Sequence, residues 1–118
     1  MTNINRLKLE LANKQYFTDS EFTVFLDENG LVATDTYNKS KDNLALLNTV
    51  LAILQAMQNN IELYCSLNTE FLTKGEAYTA LTNQIDSLNK RIQNCADYTN
   101  TAKKTITYLF SNWEVAHE

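Results

Sequence analysis

Proline is absent from this chain of 118 residues, and glycine occurs only twice, at Gly30 and Gly75. A chain of this length with ordinary composition carries roughly 8 Gly and 6 Pro. An interior Gly costs a helix about 1 kcal/mol and a Pro about 3 kcal/mol, so a sequence almost emptied of both leaves long helices unbroken. Histidine is nearly missing too. The one copy, His117, stands beside the last residue, where a Cys–His pair would lack the positioning that nucleophilic catalysis needs. Two separated cysteines and that histidine do not supply the clustered ligands of a zinc site. No glycine-rich phosphate cradle occurs, and Asp27-Glu28-Asn29-Gly30 lacks the ligand spacing and closing Glu of a calcium loop. The expectation is a protein that is not an enzyme and has no catalytic residue, cofactor or metal.

Basic stripes are also missing. With 14 acidic and 10 basic side chains the net charge is -4, and Lys39/Lys41, Lys90/Arg91 and Lys103/Lys104 are isolated pairs. A protein that grips nucleic acid by neutralising phosphates needs a basic face, so that function is disfavoured. The opening MTNINRLKLE is too polar for a signal peptide. The most apolar stretch, Leu44 to Met57 with 11 of 14 positions apolar, is shorter than a membrane span and contains Asn48, Thr49 and Gln55. No membrane partner is expected, and synthesis in the cytoplasm would keep Cys65 and Cys95 reduced and packed in the core.

What is present is helical punctuation and period. Ile4, Leu7 and Leu11 share one face of a first helix over about Asn3 to Asn13, with Glu10 and Lys14 as an i,i+4 pair. Thr18 and Glu21 form a capping box, and Phe17 with Phe22 a hydrophobic staple, for a second helix. Gly30 suits the left-handed position that ends it, with Leu31 folding back. Asp27 and Glu28 then sit at the negative end of the helix dipole, either as a solvated corner or as an acidic patch facing a partner. Thr34 or Asp35 can cap a third and longest helix, from roughly Tyr37 to Asn68. It holds no charge from Asn43 through Ile61, and Val50, Ile53 and Met57 widen its apolar arc beyond one stripe. Such a helix must be covered on several sides, by neighbouring subunits or by the other helices of its own chain.

Thr73 and Glu76 make a second box. From there Tyr78, Leu81, Ile85, Leu88, Ile92 and Cys95 recur at steps of three and four, a seam suited to antiparallel packing on the third helix. After Tyr98 the polar run Thr99-Asn100-Thr101 marks a weak boundary, and Thr105 to Phe110 is rich in β-branched and aromatic residues. That tail reads either as an extended arm that buries Tyr108, Phe110 and Trp113 on a neighbour, or as a short helix packed on the core. The fold expected is all-α: about four helices, a short N-terminal pair plus a long antiparallel helical hairpin. A helical domain would occupy residues 1–98 and a C-terminal tail 99–118, a candidate assembly arm.

The order of these features carries a resemblance. A short helix (RLKLELANK) precedes a capped helix ending in Gly (YFTDSEFTVFLDENGL), then a long apolar helix (LLNTVLAILQAM) and a helix opened by FLTKGEAY. Over roughly residues 4 to 95 this resembles the small helical head–tail connector proteins of long-tailed bacteriophages, also called adaptor or head-completion proteins. The resemblance implies a structural protein of the virion neck, made in the host cytoplasm. It implies a homo-oligomeric ring, commonly of twelve subunits, between the portal protein and a tail-side neck protein. Such a ring continues the DNA channel without sequence-specific binding. The interface residues expected are Val50, Ile53, Met57, Asp27, Glu28, Tyr108, Phe110 and Trp113. The alternative is a small helical regulatory or immunity-type protein that binds one protein partner through the third helix or the acidic corner.

Overall fold

Among the described residues of the computed structural model five helices follow one another: α1 (Asn3–Glu10), α2 (Asp19–Glu28), α3 (Lys39–Gln58), α4 (Ile61–Leu67) and α5 (Lys74–His117). Residues 1–71 and 73–117 are described, with side chains described for 1–71 and 73–95. The all-α expectation holds: among the described residues the only β pairing is a single antiparallel bridge, Thr2 to Thr36. Readings that concern the side chains of Tyr108, Phe110, Trp113 and His117 lie outside the described side chains, while the backbone beyond residue 98 continues α5 as helix to His117 and forms neither the expected extended arm nor a separate short helix.

The helix ends form where local chemistry dictates. Thr18 accepts from the Glu21 amide while the Glu21 carboxylate accepts from the Thr18 amide, which completes the capping box. Phe17 meets Phe22 edge-on, with ring centres 6.3 Å apart. At the other end Gly30 has φ +80°, its amide donates to Asp27 O at 3.0 Å, and the Leu31 amide donates to Leu26 O at 2.9 Å. Those two bonds are a Schellman motif, and Leu31 is buried behind Leu26. Thr73 accepts from the Glu76 amide at the start of α5.

Three expectations need correction. First, the long third helix breaks in two. Asn60 leaves helical geometry (φ -139°, ψ 61°), and its side chain accepts from the Leu63 amide as the N-cap of α4. Asparagine competes for backbone donors in this way, and two in succession outweigh an apolar rhythm that runs on through Ile61, Leu63 and Cys65. Second, α3 is capped by Asn38, not by Thr34 or Asp35. The segment before it pairs with the N-terminus instead, through Asn3 N to Asp35 O at 2.9 Å, Ile4 N to Ala33 O at 3.1 Å and Tyr37 N to Met1 O at 2.9 Å. Third, Tyr78 is 50% exposed and Ala77 is fully buried, so the α5 seam begins one residue earlier.

α3 lies at the centre, packed against α1, α2, α4 and α5. It runs antiparallel to α5: Asn43 lies beside Cys95, while Val50 and Leu54 lie near Gln84, Leu88 and Arg91. This enclosure overturns the expected interface at Val50, Ile53 and Met57, which are 2%, 0% and 1% exposed within the single chain. The wide apolar arc of α3 exists because its own chain surrounds it. Leu47, Leu54, Leu81, Ile85 and Leu88 form the hairpin core, whereas Leu51 and Ile92 are only partly buried against it.

Candidate functional site

The end of α2 and the turn after it leave two valines and two carboxylates exposed. Val24, Asp27 and Glu28 stand at i, i+3 and i+4 on α2 and therefore share a face. Val24 is 55% exposed, and Val32, just beyond the Gly30 turn, is 53% exposed. Asp27 and Glu28 are exposed as well, and neither enters an ion pair among the described residues. They lie at the carbonyl end of α2, which has no basic residue in its last turn. Two like charges there are mildly unfavourable for the helix itself. The acidic corner is thus an exposed feature, and neither valine is legible as exposed in the sequence, because an isolated apolar residue on a helix or in a turn gives no period.

A second cluster joins distant parts of the chain. Glu10, only 14% exposed, accepts from Arg6 at 3.1 Å and from Arg91 of α5. The Arg6 guanidinium also lies over the Tyr37 ring, 5.5 Å from its centre. Burial pushes the Glu10 carboxyl up, but hydrogen bonds and charge from Arg91 and then Arg6 outweigh it, and the group titrates below its ordinary range. The cluster borders a small hollow of about 120 Å³ between Val50, Leu54 and Leu88. The i,i+4 pair expected between Glu10 and Lys14 does not form. Ala12 and Asn13 adopt left-handed backbone (φ 55° and 60°), which turns Lys14 away from α1, and its ammonium donates to Leu67 O at 2.8 Å.

A third cluster is an aromatic stack under the α4–α5 turn. Tyr16 and Tyr64 stack with centres 6.0 Å apart, and Tyr64 stacks on Phe71 at 6.2 Å. Buried Asn68 donates to the Tyr16 hydroxyl at 3.0 Å and to Tyr64 O at 2.7 Å, and the Tyr64 hydroxyl donates to Gln84 at 3.3 Å. Burial, then the neighbouring Tyr16 and Glu70, pushes the Tyr64 phenol up to about 12. A neutral phenol can donate and accept at once, which suits Tyr64 to this hydrogen-bonded stack.

Cys65 and Cys95 both remain thiols, partly buried against the core. Among the described residues no group of three or more His, Cys, Asp or Glu side chains stands close enough to hold a metal ion, and no helix is long and apolar enough to cross a membrane. The ion cluster and the aromatic stack fasten elements together, whereas the acidic corner with Val24 and Val32 is exposed. No protein-family model, no curated protein and no solved structure matches this chain.

Proposed function

We propose that this chain is a non-enzymatic structural subunit of a bacteriophage neck, a head–tail connector that forms a ring between portal and tail and continues the DNA channel. The observation that carries the reading is the order of features over residues 4–95: a short helix, a boxed helix closed by Gly30, a long apolar stretch that the fold divides into α3 and α4, and a helix opened at Thr73. That order resembles the connector family. Burial of Val50, Ile53 and Met57 takes the apolar excess of α3 out of the argument. The contacts proposed for docking are the acidic corner and the C-terminal residues Tyr108, Phe110 and Trp113. Portal protein and a tail-side neck protein are the proposed partners, and passing DNA is met without sequence recognition.

The test is assembly on a portal. Electron microscopy of the purified chain mixed with the portal of its own phage should show an added ring on the tail-side face, and antibody should label the neck of whole particles. Particles whose neck takes no label, with a mixture that leaves portal rings unchanged, would refute the proposal. The exposed α2 face, with Val24 beside Asp27 and Glu28, favours one second reading: a small regulatory or immunity-type protein with a single basic, partly apolar partner. A one-to-one complex with a non-virion protein, abolished by Asp27→Lys with Glu28→Lys, would establish that reading in its place.

A further inference from the structure

α5 is longer than the helix it packs on. α3 has 20 residues and α5 has 44. Asn43 Nδ2 meets Cys95 Sγ at 3.2 Å, and Lys39, where α3 begins, is one turn beyond Asn43. The antiparallel pairing therefore runs out about one turn past Cys95. Over residues 96–117 the helix continues for about 33 Å at 1.5 Å per residue, with almost no α3 left to face it.

The sequence continues the same seam into that region. Leu81, Ile85, Leu88, Ile92 and Cys95, which pack on the core, recur at alternating steps of four and three. Thr99, Ala102, Ile106, Leu109, Trp113 and Ala116 keep the alternation without a skip. Thr99, Ile106 and Trp113 fall on heptad position a, and Ala102, Leu109 and Ala116 on d. Ile at a followed by Leu at d is the combination that favours two parallel strands. Charge does not oppose self-pairing. Asp97, Lys103, Lys104 and Glu114 cancel over the segment, although the whole chain carries -4. Between parallel copies the flanking e and g positions bring no two like charges together: Tyr98 faces Lys103, Thr105 faces Phe110 and Asn112 faces His117.

We propose that residues 96–117 pair with the same segment of a second copy of this chain, as a parallel two-stranded coiled coil along the continued seam. The inference stands apart from the connector reading, because it concerns free chains without portal or tail proteins. About three heptads give a weak, concentration-dependent pair. Trp113, the chain's single tryptophan, lies on the seam and reports on it.

The full chain is examined by sedimentation equilibrium from about 1 µM to about 200 µM, with tryptophan emission followed over the same range. The mass should rise from one copy to two as the emission shifts to the blue. Ile106→Glu should hold the chain at one copy and remove the shift, with its thermal unfolding midpoint unchanged. Thr107→Glu, at heptad position b, should pair like the parent, and so should Ile106→Val. A parent that stays at one copy throughout, a mass above two copies, or a Thr107→Glu variant as disruptive as Ile106→Glu would each overturn the proposal.

Discussion

Replacing Glu10 by Gln tests whether one carboxylate fastens α1 to α5. Gln keeps the length and an accepting oxygen while removing the charge, so packing around Val50, Leu54 and Leu88 is left intact. An exposed ion pair contributes about 0 to 1 kcal/mol, and a hydrogen bond to a charged group about 1.5 to 3 kcal/mol. Glu10 is 14% exposed, but its partners Arg6 and Arg91 are 25% and 51% exposed. Solvent screens both guanidinium groups, which places the loss near the lower end, about 1 to 2 kcal/mol. The pH dependence has a definite sign. The folded pKa of Glu10 lies below its ordinary 4.5, so its stabilisation is fully present above that ordinary value. It fades as pH falls through the lower folded value. Urea unfolding should therefore show Glu10→Gln less stable at pH 7, with the gap closing in acid and shrinking in about 1 M salt. In an Arg91→Met background most of the difference should vanish. Equal stability at pH 7, or a gap that persists unchanged in acid, would refute the reasoning.

Ile53 is fully buried, so Ile53→Ala should cost about 3 to 4 kcal/mol in urea unfolding, from lost transfer energy plus a residual cavity; a loss under about 1 kcal/mol would mean α3 is less enclosed than described. Gly30→Ala should lower stability by about 1 kcal/mol, because a Cβ there meets nothing within 4 Å and the whole cost comes from φ +80°. Gly30→Asn should cost less, since Asn tolerates left-handed backbone, and the difference in thermal midpoint reads it. Thr18→Ala removes the capping hydroxyl and should cost about 1 kcal/mol, seen as a lower thermal midpoint; an unchanged midpoint would show that the Phe17–Phe22 staple alone starts α2.

The punctuation of this chain was legible in advance because each signal acts within a few residues. Thr18 needs only Glu21 to close its box, and Gly30 needs only the last turn of α2 for its Schellman bonds. The same reach explains the failures nearby. Asn59 and Asn60 carry a strong local break, but the apolar rhythm beyond them concealed it. Reading the α5 seam from Tyr78 set it one residue late, because Ala77 is too small to stand out in a hydrophobic pattern yet is fully buried. Glu10 and Lys14 have pairing distance on an ideal helix, and the left-handed residues Ala12 and Asn13 cancelled it.

From the sequence alone came the all-α class, the caps of α2 and α5 and the antiparallel seam. Those follow from composition and from interactions between neighbours in the chain. Only the tertiary structure decided that the apolar arc of α3 is enclosed by its own helices, that Glu10 meets Arg91 across 81 residues, and that Asn68 closes on Tyr16 across 52. Each depends on which helix faces meet, and a face acquires its neighbour only when all the helices are packed together.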